Sequence, residues 1–322
     1  AYLFAHNDGD GEFGPDSDQD IIKCGSYSGS SGDINVNLGF EPQWLLIKEV
    51  SSAGQAWHIV DTMRAFEAPP FHDNGSQWLE ANTSNAETGS GQYQRVAVTS
   101  TGFFLTGNNY GWGRNGETYI YMAIRRGPLA APTAATDVFD VDTSTQAINS
   151  SNAPPRTPFP VDMGIYKARN ASGTAWPIFA RLQGANYLQT QAGDAEGSGY
   201  TTWDQMDGWG ISTGSWESSA DYVFYNWKRA PGYFDVVAYT GTGSARTVNH
   251  NLGVVPEMIW IKRRDSTRDW ATGFGSLGWT KRGPALNSNE QAYTVSTWWN
   301  DTAPTSSVFT VGSSATTNGS GG

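Results

Sequence analysis

One segment of this chain occurs three times. Leu38-Gly39-Phe40-Glu41-Pro42-Gln43-Trp44-Leu45-Leu46-Ile47-Lys48 returns as Leu252-Gly253-Val254-Val255-Pro256-Glu257-Met258-Ile259-Trp260-Ile261-Lys262, and a worn copy, Phe159-Pro160-Val161-Asp162-Met163-Gly164-Ile165-Tyr166-Lys167, lies between them. Three copies in 322 residues leave about 100 residues for each, the size of one small sandwich domain. The first two copies end in an aromatic strand pattern, Tyr119 to Arg126 and Tyr222 to Arg229. The third reaches Gly322 without one, whereas Ala1-Tyr2-Leu3-Phe4-Ala5-His6 has that pattern and opens the chain. No initiator Met or signal peptide precedes it, so the chain is expected to be a fragment or processed piece of a longer polypeptide.

The residues between these landmarks read as short strands. Trp, Tyr and Phe each occur 14 times beside 38 glycines, and no window has the three-and-four spacing and caps of a helix. In the first copy, strands are expected at Ile21 to Tyr27, Asp33 to Leu38, Trp44 to Val50 and Ala56 to Thr62, then at Gly102 to Leu105 and Tyr119 to Arg126. The expected fold is all-β, with three tandem antiparallel β-sandwich modules. Residues 1–20 form the closing strand of a preceding or circularly completed module plus an acidic linker. Module one covers 21–127, a divergent module two covers 137–229, and module three covers 232–322 without a closing strand of its own. The join Arg229-Ala230-Pro231-Gly232 is short, which predicts that modules two and three pack on one another. Trp57, Trp176 and Trp270 occupy the same place in the three copies and are expected to anchor the cores, since burying an indole removes on the order of 200 Å² from water.

Charge narrows the function classes. The net charge of -11, with only 16% charged residues, opposes a phosphate-binding surface, so nucleic acid is not an expected partner. The longest apolar runs have strand length, short of the roughly 20 residues of a membrane helix, so no membrane insertion is expected. Cys24 alone supplies no disulfide framework and, with four histidines, no zinc-finger spacing. Asp8, Asp10, Glu12, Asp16, Asp18 and Asp20 alternate as oxygen ligands often do, which makes calcium the one candidate cofactor; the other reading is a solvated linker. Gly9-Asp10-Gly11-Glu12-Phe13-Gly14 formally matches a dinucleotide loop, but its carboxylates repel phosphate and a strand, not a helix, follows. No Gly-x-Ser-x-Gly elbow is present. His58, His72, and the carboxylates of Glu41, Glu257 and Asp61 give no spacing that establishes a catalytic pair, so no catalytic residue is assigned. Tyr110, Trp112, Trp298 and Trp299 lie in Gly/Asn/Thr-rich contexts expected to be exposed loops, where an aromatic face can stack on a sugar or a partner protein.

The order Tyr239-Thr240-Gly241-Thr242-Gly243, Leu252 to Lys262, Trp270, Leu286-Asn287-Ser288 and Phe309-Thr310-Val311-Gly312 resembles a module of unknown function in virion proteins of marine tailed bacteriophages, including cyanophages. Module one matches through Gly25-Ser26-Tyr27-Ser28-Gly29, Leu38 to Lys48 and Asn82-Thr83-Ser84; module two matches weakly. The resemblance implies a tail, fibre or surface-decorating virion protein, located on the extracellular particle and carrying no catalytic residues. Its implied partners are other virion chains, with homo-oligomers expected, and a host surface glycan.

The expected function is therefore assembly and host-surface adhesion within a virion, and not catalysis. A carbohydrate-binding module array of a secreted bacterial protein and a polysaccharide depolymerase are the alternatives. For Ala1 to His6, the preferred arrangement is one segment of a longer tandem array. A ring in which it closes module three of its own chain comes second, and strand donation to a neighbouring chain is the remaining arrangement.

Overall fold

The computed structural model describes residues 1–6, 20–64, 66, 77–87, 96–106, 111–127, 131–144, 156–199, 201–211 and 220–320. Contacts divide the chain into two compact units, Ala1–Ala131 and Pro132–Gly322. The boundary falls inside the Pro/Ala/Gly-rich strip 127–136. Unit one holds the first copy of the repeat, and unit two holds the second and third.

Unit one is built on two antiparallel sheets. Its strands are β1 (Ile22–Ser28), β2 (Ile34–Asn37), β3 (Pro42–Glu49), β4 (Trp57–Asp61), β5 (Leu79–Glu80), β6 (Val96–Thr99), β7 (Gly102–Leu105) and β8 (Thr118–Arg125). The larger sheet runs β1-β8-β3-β4-β5 and the smaller β2-β7-β6. Side chains alternate across a strand, and β3 shows the consequence: Leu45, Ile47 and Glu49 are buried, while Trp44, Leu46 and Lys48 on the other face are only partly covered. Pro42 has no N–H for the ladder, and the register of β3 against β8 shifts between Pro42 and Trp44. Tyr27 and Tyr121 of the larger sheet meet Phe103 of the smaller one edge-on, at 5.8 and 5.4 Å between centroids. The two sheets therefore face each other across a core that includes Leu45, Ile47, Val60, Tyr119, Val96 and Leu105.

Unit two repeats the larger sheet of this plan in full. Its strands β9 (Phe139–Ser144), β10 (Met163–Ala168), β11 (Pro177–Ala180), β12 (Leu188–Gln189) and β15 (Tyr222–Trp227) form a sheet in the order β12-β11-β10-β15-β9, which is β5-β4-β3-β8-β1 strand for strand. The pair β13 (Thr201–Thr202) and β14 (Gly210–Ile211) stands beside it. Tyr166, Phe179, Trp203, Trp209, Tyr222 and Phe224 share one core cluster.

The third copy is built differently. β16 (Arg246–Asn249) pairs with β21 (Val308–Val311), and β17 (Met258–Ile261) pairs with β18 (Ala271–Phe274), as β2 with β7 and β3 with β4. β19 (Lys281–Arg282) and β20 (Tyr293–Thr294) make a further pair. Two one-turn helices, α1 (Ser296–Trp299) and α2 (Ala315–Asn318), complete it. Asn300 and Asp301 follow α1 with φ of 52° and 48°, a left-handed stop that these two residue types tolerate. Val248, Ile261, Trp279, Trp298, Trp299 and Phe309 form the core.

The all-β expectation holds, with α1 and α2 as short exceptions. The second and third copies share one compact unit, and among the described residues the third is built of two-stranded sheets. Tyr233 to Tyr239, whose pattern predicts the opening strand of module three, makes only a bridge from Phe234 to Ala230. Among the described residues no helix is long and apolar enough to cross a membrane.

Candidate functional site: the joint between the second and third modules

The outer face of the β12-β11-β10-β15-β9 sheet is apolar. It presents Met163 and Ile165 from β10, Ile178 from β11 and Leu188 from β12, with Trp176, Tyr225 and Trp227 beside them. Water does not cover this face, because Phe234, Val236 and Trp270 of the next module pack onto it. Trp270 is 4% exposed, and its indole N–H donates to the carbonyl oxygen of Gln189 at 2.7 Å. A large apolar ring with its one polar atom satisfied is the usual anchor of a stable interface. The connection that brings it there is short: Gly232 turns with φ of 74° and donates its N–H to Leu252 O at 2.6 Å.

Charged groups frame the apolar contact. Arg229 is 1% exposed. Its backbone N–H donates to Asp162 Oδ2 at 2.7 Å, its Nε lies 3.7 Å from Asp162 Oδ1, and its Nη1 lies 3.6 Å from Asp235 Oδ1. Nη1 also donates to Val236 O at 2.8 Å, so one guanidinium ties the end of β15 to the start of module three. On the other side, Arg264 Nε stands 3.0 Å from both oxygens of Glu196, whose carboxylate is buried. Gln183 Nε2 donates to that carboxylate at 2.9 Å. Backbone bonds from Glu196 N to Arg264 O and from Arg268 N to Gly193 O, both 2.8 Å, fix the two loops. Burial pulls the nearby Lys262 ammonium down to about 8, against the opposing pull of Asp194, Asp265, Asp269 and Glu196.

The anchor belongs to a repeated local structure. The backbone N–H of Trp57 donates to Asn82 Oδ1 at 2.8 Å, that of Trp176 to Gln191 Oε1 at 2.7 Å, and that of Trp270 to Asn287 Oδ1 at 2.9 Å. The three tryptophans are equivalent, but their burial is not. Trp57 is 37% exposed, Trp176 is half-buried under the Lys167 ammonium at 5.5 Å, and Trp270 alone is buried. This corrects the expectation of three core anchors: the side chain points to the outer face, so its burial is set by what docks there. In unit one that face carries Trp44, Leu46, Ile59, Leu79, Ile120 and Met122 around Trp57.

The expected exposed aromatics are also corrected. Trp112 is 1% exposed, stacked on His58 at 4.6 Å and edge-on to Trp78 at 6.1 Å. Trp298 and Trp299 are 5% and 1% exposed, carried inward by α1, and Gly273 makes room for Trp299 and Trp279: a Cβ there would stand 2.7 Å from Trp299 and 2.6 Å from Trp279. None of these three rings offers a face for a sugar. Tyr110 lies outside the described residues, as do Asp8, Asp10, Glu12, Asp16, Asp18 and His72. Asp20 is described and half-buried, and among the described residues no group of three or more His, Cys, Asp or Glu could hold a metal. His58 is buried with Glu80 3.9 Å away, and burial holds its pKa down. Glu41 faces Arg126 at 3.8 Å and Asp61 pairs with Arg64. Sequence reading missed Arg229, Glu196 and Arg264. Their only signal was the short join, because the Glu196 and Arg264 partners are far apart in sequence.

Sheet order and joint together define an all-β repeat protein whose second and third modules dock through the outer face of one sheet. Residues 16–128 and 218–321 match a family described as a domain of unknown function (DUF7483), and the chain belongs to that family. The stretch between the two matched segments carries four strands of the second five-stranded sheet, β9, β10, β11 and β12, and the fifth, β15, opens the second matched segment, so the repeat continues where the match does not. No curated protein and no solved structure matches the chain.

Proposed function

We propose that this chain is a structural protein of a bacteriophage virion, in a tail, fibre or surface-decorating position, which builds stiff arrays of modules and presents them to the host surface. The observation that carries the assembly part is the seating of Trp270 on the outer face of the preceding sheet. A module that buries its neighbour's aromatic anchor and brackets it with Arg229 and the Glu196–Arg264 pair is suited to bearing load along an array. The virion setting rests on the resemblance carried by Leu38 to Lys48, Leu252 to Lys262 and Tyr239 to Gly243. Membership of the DUF7483 family agrees with the repeat and adds no setting of its own. Partners under this reading are further copies and other virion chains, with a host glycan as the adhesion target. Mass spectrometry of purified virions tests the setting: stoichiometric recovery of the chain supports it, and recovery solely from the medium of uninfected bacteria overturns it.

A further inference from the structure

The joint in the second unit brings two like faces together. Val237, Tyr239, Ile261 and Ala271 belong to the core of module three, whereas Phe234, Val236 and Trp270 belong to the joint. Core and joint residues alternate along both segments, so the three docking side chains stand on the outer face of module three. What they meet is the outer face of module two. The contact is therefore made by equivalent surfaces of two repeats.

Module one carries the same face residue for residue. In module two the row that runs across the sheet through the joint is Val141, Tyr225, Ile165, Ile178 and Leu188, each paired with the next. In module one that row is Cys24, Met122, Leu46, Ile59 and Leu79. Every place is apolar, counting the thiol as a small hydrophobe. Trp44 and Ile124 pair beside the row where module two has Met163 and Trp227, and Trp57 stands where it has Trp176. Composition matches, but burial does not. Ile165, Ile178 and Leu188 are 8%, 5% and 6% exposed beneath the docked module, whereas Trp57, Leu79 and Ile120 are 37%, 37% and 38% exposed. An apolar row of this width facing water marks an interaction surface.

We infer that the outer face of module one docks on the same face of a second copy of this chain, forming a two-fold pair. The occupant follows from the joint: what fits such a face there is its own counterpart, and a second copy presents an identical one. A patch that meets itself is isologous and closes at two. Trp270 supplies the geometry, because its indole N–H reaches the carbonyl of Gln189 on β12. The residue in that place in module one is Glu80 on β5. The two carbonyls have the same local setting, each accepting a turn N–H, from Ala192 at 3.3 Å and from Thr83 at 3.2 Å. Trp57 of each copy then donates to the Glu80 carbonyl of the other, and its ring leaves water for the row of Leu46, Ile59 and Leu79. This deepens the assembly reading, since it rests on the same joint and names the partner and the face, and its test needs no virion.

Sedimentation velocity of the full chain between about 1 and 100 µM provides that test. The expected result is a concentration-dependent passage from monomer to dimer, with no larger species. Leu79→Lys combined with Ile120→Lys, both at exposed positions of the face, is expected to weaken the dimer at least about tenfold while the circular dichroism stays that of the unaltered chain. Trp57→Ala, which costs the dilute monomer little, is a second variant with the same expected outcome. Val254→Lys, at a 46% exposed apolar position of module three, is expected to leave the dimer intact.

Three results overturn the inference. One is a chain that stays monomeric throughout the range, which leaves the face to a different partner. Another is a dimer that Val254→Lys weakens as much as the face variants do. The third is growth past the dimer, which a two-fold contact does not allow. A monomer recovered in virions removes this contact and leaves the virion setting; a dimer absent from virions does the reverse.

Discussion

At the scale of single residues, the repeat separates what a side chain is from where it ends up. Trp57 and Trp270 have the same strand position and the same backbone partner, an Asn side-chain oxygen. Trp270 packs in a cluster shared with the preceding module, whereas Trp57 is 37% exposed. Trp270→Ala is expected to lower stability by about 3–5 kcal/mol, as for a truncated buried ring, whereas Trp57→Ala costs about 1 kcal/mol or less. Urea unfolding followed by circular dichroism separates the two; equal losses would mean that docking contributes nothing to the burial of Trp270. Lys262 gives a pH signature at the same joint. Its folded value of about 8 lies below the ordinary lysine value of 10.5, so the unfolded chain binds more protons between these limits. Stability therefore rises with pH from about 8 toward about 10 and is reduced below that window. Burial pushes the Tyr239 hydroxyl up, which reverses the trend as an unfolded tyrosine ionises near pH 10. Lys262→Met is expected to flatten the rise in melting temperature between about pH 7.5 and 9.5; an unchanged slope would assign it to another group.

At the scale of elements, the alternating strands were legible because their pattern is local. β3, β4, β7 and β8 fall within one or two residues of where alternation and flanking Gly, Pro and Asn place them. α1 was not legible, since four residues give no helical period and its two tryptophans sit among Thr and Asn as loop aromatics do. The burial of Trp299 depends on Gly273 and Trp279, which only the folded chain brings to it. Tyr233 to Tyr239 shows the opposite case. It has the composition of β1, but a strand needs a partner, and the partner of β1 is the aromatic strand that module three lacks among its described residues. Where that strand is present, it is keyed by specific polar contacts. Tyr119 donates its hydroxyl to Glu49 at 3.0 Å and accepts the Arg114 backbone N–H at 3.1 Å, and the Glu49 carboxylate is fully buried. Tyr119→Phe removes a hydrogen bond from a buried carboxylate and is expected to cost about 1–3 kcal/mol, more than Tyr121→Phe beside it. A smaller loss for Tyr119→Phe in chemical denaturation would show that Arg114 and Ser52 satisfy Glu49 without it.

At the scale of the molecule, the second unit differs from beads on a linker. Modules two and three have separate core clusters, but between them lies a third cluster to which both contribute, closed by Arg229 and by the Glu196–Arg264 pair. Arg229 alone contacts Asp162 of one module and Asp235 of the next while almost inaccessible to water, and losing one partner of such a buried set leaves uncompensated charge behind. The two modules should therefore open as one cooperative element, in the sense that β10 and β18 cannot expose their amides independently while the joint holds. Hydrogen exchange on the full chain is expected to give the amides of β10 and β18 closely similar opening free energies. Arg229→Ala should separate them, with β18 and its neighbours exchanging at least about tenfold faster while β10 keeps more of its protection, because β10 lies inside a five-stranded sheet and β18 in a two-stranded one. If the strands already exchange at different free energies in the unaltered chain, the joint is a flexible contact, and an array of such modules would bend at every second junction instead of transmitting load.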